Sequence, residues 1–152
     1  HGGRETILSF GLPVKEYRKL GLEELFERLP EIVPAKSREF VHDFEEIIEA
    51  GDYVFVHAGI NPELPLDEQK RGDLLWIRER FLRHKGPFPK TVVHGHTIFD
   101  EIEIKRDRIG LDTGAFRSGV LTALVLEGAN QRTIQSIEKK KHIKIKYEEI
   151  GA

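Results

Sequence analysis

Two histidine motifs are the parts of this sequence best suited to chemistry. One is His57-Ala58-Gly59 and the other is His94-Gly95-His96-Thr97, and each follows a short run rich in β-branched or aromatic residues. Imidazole is a common ligand for Zn, Mn and Fe, and a neighbouring glycine removes side-chain bulk so that the backbone can turn. The arrangement suits a metal site. The alternative is that each histidine is a hydrogen-bonded structural residue at the end of a strand.

Arg78 is a further candidate, lying between the two histidine motifs in the sequence. Its planar, forked guanidinium matches the geometry of phosphate oxygens. The alternative is an ordinary ion pair between Arg78 and a nearby Asp or Glu on the protein surface, and without further context that alternative is the better interpretation.

Asp112-Thr113-Gly114 has the form of an aspartic protease half-site, preceded by apolar residues. Such an enzyme needs two carboxylates that share a proton, supplied by two lobes or by a symmetric dimer. The motif occurs once in this chain. A protease interpretation would therefore leave one carboxylate missing and the histidine motifs unexplained.

Hydrophobic periodicity predicts helices in the first third of the chain. A short helix is expected over residues 4–10, closed by Gly11, and another over residues 22–29, ended by Pro30. A third helix is expected after Pro34 and should end at Gly51. Its apolar stripe consists of Phe40, Val41, Phe44, Ile47 and Ile48.

The pattern then changes to one that predicts strands leading to the histidines. Residues 52–57 form a β-branched and aromatic run, a helix is expected over residues 73–82, and residues 91–93 form a second β-branched run. In open α/β sheets, ligands bind beyond the carboxyl ends of strands, where loops converge. The ends of these two predicted strands are therefore a candidate place for a ligand.

The last third of the chain is predicted to consist of closely spaced strands that favour antiparallel pairing. The strands are centred on Ile102 and Ile104, Ile109 and Leu111, Val120 to Leu126, Ile134 and Ile137, and His142 to Tyr147. Lys139-Lys140-Lys141 lies between two of these segments and is interpreted as a solvated turn.

Length and composition limit the possible classes of protein. The chain has 152 residues, 39% hydrophobic and 33% charged, with a formal net charge of −2. These values predict a single globular domain, residues 1–152, and no recruitment of nucleic acid or of an anionic membrane. With no Cys, thiolate metal sites and disulfides are excluded. We expect a cytoplasmic protein.

The start of the sequence predicts that the chain is part of a longer protein. It opens His1-Gly2-Gly3-Arg4 and contains no Met. It also lacks the basic and apolar regions of a signal peptide. Any site found in this chain is therefore expected to be incomplete.

Four segments, in this order and spacing, resemble the bacterial Ser/Thr protein phosphatase group of the calcineurin-like metallophosphoesterases. The segments are Tyr53-Val54-Phe55-Val56-His57-Ala58-Gly59-Ile60, Asp73-Leu74-Leu75-Trp76-Ile77-Arg78, Val92-Val93-His94-Gly95-His96-Thr97 and Leu111-Asp112-Thr113-Gly114-Ala115. The resemblance covers roughly the whole chain, as the C-terminal part of such an enzyme.

The resemblance implies an α/β fold in which two mixed β-sheets form a sandwich flanked by helices, with two metal ions held by loops at one edge. His57 and His96 would bind the second metal ion, which could be Mn, Fe, Zn or Ni like the first. Arg78 resembles a phosphate-binding arginine. His94 would be a substrate-side residue that binds no metal, and Asp112 would support the loop around the site.

The family's motifs Gly-Asp-x-His-Gly, Gly-Asp-x-x-Asp-Arg-Gly and Gly-Asn-His-Glu are missing from this chain. In the family they supply the first metal's ligands, the bridging Asp, an Asn ligand and the catalytic His. The resemblance therefore places no catalytic residue in this chain, and we expect the missing motifs to lie just before His1.

The function that the resemblance implies is metal-assisted hydrolysis of a phosphate ester by the intact protein. The substrate could be a phosphoprotein, a dinucleoside polyphosphate or another small phosphoester. One alternative is a non-catalytic fragment or accessory domain of the same fold. A less favoured alternative is the aspartic protease half built on Asp112.

Overall fold

The chain divides into two compact units, residues 1–45 and residues 46–152. Its structure, a computed structural model, describes residues 2–140 and 142–150. The N-terminal unit is helical in its described residues, with α1 at Gly3–Ser9, α2 at Val14–Tyr17, α3 at Leu22–Ile32 and α4 at Ala35–His42. All the candidate site residues belong to the C-terminal unit.

Helix α3 shows that the predicted stop at Pro30 is wrong. The helix continues to Ile32, and the Val33 N–H donates to the carbonyl of Leu29 at 2.9 Å. Proline removes one backbone donor, but its fixed φ is close to the helical value. The last turn therefore forms around Pro30.

The helix predicted to run from Pro34 to Gly51 is wrong in its second half. Helix α4 ends at His42, and Ile47–Ala50 form strand β1, which pairs antiparallel with β2 at Tyr53–Val56. Gly51, with φ 56°, turns the chain between the two strands rather than ending a helix. A short apolar run fits both periods, and here pairing with β2 decided which one formed.

Sheet A positions the candidate site. Its strand order is β1-β2-β3-β5-β4, with β3 at Thr91–His94, β4 at Glu103–Ile104 and β5 at Arg108–Gly110. Strands β2, β3 and β5 are parallel, and β1 and β4 are antiparallel strands at the two edges. The predicted strands that lead to the histidines are thus confirmed. They are neighbours, and their carboxyl ends meet at one edge.

The helix predicted over residues 73–82 is broken into two. Its parts are α5 at Arg71–Trp76 and α6 at Glu79–Leu82. In a continuous helix the Leu74 carbonyl would accept the N–H of Arg78. Instead it accepts the N–H of Ala58 at 2.8 Å. This bond to the loop after β2 ties the helix to the strand end and leaves Arg78 at the break.

The core of the C-terminal unit lies beneath these elements. Its buried members are Ala58, Ile60, Leu74, Ile77, Phe81, Phe88 and Val92. Phe81 in α6 is completely buried and lies against the loop after β2. The loop that carries His57 is therefore fixed by direct packing on α6.

We expect Gly59→Ala to destabilise the protein by about 3 kcal/mol, since overpacking and backbone strain act together. Gly59 has φ +149°, and an added Cβ would lie 2.4 Å from Cδ1 of the buried Phe81 ring. Gly72→Ala is the matched control, because Gly72 lies in α5 with open space around its Cα. Chemical denaturation of both variants measures the difference, and equal loss of stability would contradict the packing described here.

Sheet B is an antiparallel meander. It consists of β6 at Val120–Glu127, β7 at Asn130–Lys139 and β8 at His142–Ile150, and the short helix α7 at Ala115–Ser118 precedes it. The strands predicted in this region and their antiparallel pairing are confirmed. Lys140 has φ 49° and lies in the predicted turn, whereas Lys141 falls outside the described residues.

The architecture is mixed α/β, with two sheets and flanking helices. Sheet A is mixed, and sheet B is antiparallel throughout the residues described. Within residues 2–140 and 142–150, we find no helix with the length and hydropathy needed to cross a membrane.

Candidate functional site

The structure brings His57 and His96 together at the carboxyl edge of sheet A. The first directly follows β2, the second lies two residues beyond the end of β3, and their ring centroids are 5.1 Å apart. The two strand ends are joined directly, since the Gly95 N–H donates to the carbonyl of His57 at 2.9 Å. The expected convergence of the two rings is therefore found.

His96 has features that distinguish it from an ordinary surface histidine. Its φ of 62° places it in the left-handed region, which residues other than glycine rarely adopt. Its Nε2 atom is buried and has no hydrogen-bond partner. Strained backbone of this kind is concentrated at functional sites, and a buried nitrogen without a partner is costly unless a ligand completes it. Both observations point to a ligand at this imidazole.

Electrostatics keep His96 neutral. Burial lowers the pKa of His96, and electrostatic interactions with Arg78 and His57 lower it further, whereas Asp112 acts in the opposite direction. A neutral imidazole carries the lone pair that metal coordination needs.

Arg78 lies at the break between α5 and α6, with φ −135° and ψ −99°. Its side chain is exposed and makes no hydrogen bond or ion pair with another residue in the described part of the chain. In contrast, the neighbouring Arg80 and Arg83 are paired with Glu63 and Glu79. The surface ion pair considered as the alternative for Arg78 is not formed.

Trp76, at the end of α5, also borders the site, and the sequence reasoning did not assign it a role. Its ring lies edge-on to His96, with centroids 5.5 Å apart, and it is 60% exposed. It is the single Trp of the sequence, a signal that could have drawn attention to it.

His94 lies deeper than the other two histidines and is only 2% exposed. Its ring packs edge-on against Phe81 at 4.8 Å, with Phe99 at 6.3 Å, and its Nδ1 is 3.2 Å from the Gly95 carbonyl oxygen. Burial lowers the pKa of His94, so the ring is neutral. This aromatic setting supports the strand end that carries His96, and a direct contact with substrate stays a prediction.

Asp112 supports the loop that closes the site. Its Oδ1 accepts the N–H of Gly114 at 2.9 Å, and its carbonyl accepts the N–H of Phe99, also at 2.9 Å. Thr113 is buried and donates to the Val120 carbonyl at 2.6 Å. The Asp-Thr-Gly motif therefore fastens the loop to sheet B, a use that does not need a second carboxylate.

A cavity of about 430 Å³ lies at this edge of the sheet. His57, His96 and Asp112 line it together with apolar residues of β2, β3 and β6. In the described part of the chain, no group of three or more His, Cys, Asp or Glu residues is arranged to hold a metal ion.

Arg108, which the sequence reasoning missed, fixes the helix next to Arg78. It is 4% exposed, and its guanidinium donates to the carbonyls of Leu82 at 2.6 Å and Phe81 at 3.1 Å, at the end of α6. It also lies over the Phe81 ring, 5.5 Å from the centroid. No local pattern marks this role, since the carbonyls that accept its hydrogen bonds are more than twenty residues away in the sequence.

We expect Arg108→Met to lower the free energy of unfolding by about 3 kcal/mol or more, because the buried carbonyls at the end of α6 lose their donors. Arg106→Met, a change of the same type at an exposed position, should stay within about 0.5 kcal/mol of the unchanged protein. Urea denaturation of the two variants gives the comparison. Two equally stable variants would mean that Arg108 does not hold α6.

The fold and site define a mixed α/β protein with a histidine pair at the carboxyl edge of a sheet. Comparison of the chain with protein-family models and with curated proteins found no match.

Proposed function

We propose that this chain is the C-terminal part of a metal-dependent phosphoesterase, similar to the bacterial Ser/Thr protein phosphatases. The observation that carries the proposal is the pairing of His57 with His96 at 5.1 Å, with the buried Nε2 of His96 lacking a partner. The electrostatic effect of Arg78 on His96 adds a phosphate-binding group to the same place.

The residues present fit a metal site in part. His57 and His96 would hold one ion through neutral imidazole nitrogens, which suit Mn, Fe, Zn or Ni. When bound, a pair of such ions supplies Lewis-acid polarisation of the phosphoryl group and activation of water. Burial of His96 keeps its nitrogen in the unprotonated form that binding requires.

Arg78 would bind and orient the phosphoryl group of the substrate. Its exposed guanidinium has no carboxylate partner among the described residues and can offer a bidentate contact to phosphate oxygens. Asp112, bonded to Gly114, keeps the adjacent loop in place. The substrate would be a phosphoprotein, a dinucleoside polyphosphate or another phosphoester, hydrolysed in the cytoplasm.

The site needs ligands from outside this chain. Two imidazoles carry no negative charge, and two divalent ions held close together require carboxylate between them. Because the described residues provide no third ligand near the pair, we assign the remaining ligands and the catalytic acid to a further segment of the same domain.

Titration of the chain with Mn²⁺, followed by NMR, tests the metal assignment even if binding is weak. Paramagnetic broadening should be centred on His57 and His96 and should be lost in His57→Ala and His96→Ala. His42→Ala is the matched control, since His42 is exposed on α4, and it should leave the broadening unchanged. Broadening centred on other residues, or unaffected by the first two substitutions, would refute the assignment.

The alternative is a non-catalytic accessory domain of the same fold. It is favoured by one observation, that the described residues contain no group of three or more possible metal ligands. The two proposals differ in what the parent coding region contains. Upstream motifs rich in Asp, Asn and His would support the enzyme, whereas their absence from the parent sequence would support the accessory domain.

A further inference from the structure

Strand β8 is an unprotected edge of sheet B. In the described part of the chain it pairs with β7 alone, and residues 142–149 are all exposed. At nine residues it is longer than most strands. A long exposed edge strand offers a row of backbone donors and acceptors to another strand, and proteins normally block such edges.

One side of β8 is apolar. Ile143, Ile145 and Tyr147 alternate along the strand and are 70%, 46% and 69% exposed. They lie on the same side as Leu121 of β6, which is 64% exposed. A strand that paired with β8 could therefore also place apolar side chains next to this exposed face.

The charges along β8 are divided by sign. Lys144 and Lys146 lie in its first half, and Glu148 and Glu149 in its second half. An antiparallel partner with the same sequence therefore places positive residues opposite negative ones. Within the strand, Lys146 Nζ lies 2.5 Å from Glu148 Oε2. Because the same two charges would also meet across a symmetric pair of strands, this complementarity favours a second copy of the chain as the occupant of the edge.

Register narrows the arrangement further. In a symmetric antiparallel pair centred on Lys146, the two Lys146 residues lie opposite each other. In a pair centred on Glu148, the two Glu148 residues do so. In a pair centred on Ile145, Lys144 lies opposite Lys146 of the second copy. Like charges directly opposite each other are destabilising. A pair centred on Tyr147 avoids this and sets Lys146 opposite Glu148 of the second copy, twice.

We propose that β8 pairs with β8 of a second copy of this chain, in the antiparallel register centred on Tyr147. The overlap covers residues 144–150, and the two three-stranded sheets become one sheet of six strands. Because the pairing is twofold symmetric, each β8 edge is used up, and this contact forms a closed dimer. The proposal is independent of the phosphoesterase activity.

Sedimentation equilibrium of the 152-residue chain over a range of concentrations measures the association. Lys146→Glu sets glutamates opposite each other and should weaken the dimer at least about tenfold. Adding Glu148→Lys to that variant restores opposite charges across the pair and should restore association. Lys139→Glu, with the same change in net charge but on β7 and outside the overlap, should dimerise normally.

Circular dichroism of each variant shows whether the fold is intact, and hydrogen exchange provides a second measurement on the unchanged protein. Amides of residues 144–150 should gain protection as concentration rises. A chain that stays monomeric at all concentrations would overturn the proposal, because β8 would then not pair with a second copy. A dimer that is unaffected by Lys146→Glu, or not restored by the double substitution, would also overturn it.

Discussion

In the proposed phosphoesterase, Arg78→Lys is expected to lower kcat/KM for phosphate release by about 10²-fold or more, comparable to the loss of one preorganised donor to a developing charge. The guanidinium of Arg78 is exposed at the edge of the site, and no carboxylate in the described residues occupies it. Lysine keeps the charge but cannot reproduce a bidentate contact with phosphate oxygens.

Metal content and stability separate this role from a structural one. Arg78 is no metal ligand, so the metal content of Arg78→Lys, measured by mass spectrometry, should match that of the unchanged enzyme. Arg80→Lys is the matched control, because Arg80 is two residues away and already paired with Glu63. Similar activities of the two variants would contradict phosphate binding by Arg78 and would mean that it is an ordinary surface cation.

The sequence predicted the strands and their histidines because both signals are local. A β-branched run that ends in histidine defines β2 and β3, and short parallel strands must end at the same edge of the sheet. The local pattern does not show that β2 and β3 are neighbours; the family resemblance supplied that expectation, and the parallel pairing of the two strands brings His57 and His96 together. The antiparallel meander of sheet B was predictable from local signals, since its strands are long and closely spaced.

Features that depend on contacts between distant residues could not be predicted. The break before α6 exists because Ala58 donates to the Leu74 carbonyl, a bond between separate elements. Strand β1 replaced the end of a predicted helix because β2 offered it a partner. The parallel pairing of β5 with β3 is likewise a long-range choice. The helix break is the feature that sets the backbone conformation of Arg78.

The last prediction concerns the chain of 152 residues by itself, which is expected to bind Mn²⁺ weakly and to hydrolyse no p-nitrophenyl phosphate. In the proposed site, His57 and His96 supply only part of one coordination shell. Their ring centroids are 5.1 Å apart, and in the described residues no carboxylate joins them in a group of three possible metal ligands. Asp112 lines the same cavity and accepts the Gly114 N–H at Oδ1, but in the described residues it does not form a group of three metal ligands with the two histidines.

Joining the chain to the further segment required by the proposed function should restore both properties, because the proposal assigns the bridging carboxylate and the catalytic acid to that segment. The assay compares the chain alone, the joined protein and the joined protein carrying His96→Ala, each with added Mn²⁺ and with chelator. Activity should appear only in the joined protein and should be lost in the variant. If the purified chain alone shows chelator-sensitive turnover, its site is complete, and a carboxylate such as Asp100 or Asp112 must take the place assigned to the missing ligands. If the joined protein binds Mn²⁺ through His57 and His96 but releases no phosphate, the metal assignment stands and the phosphoesterase proposal is wrong.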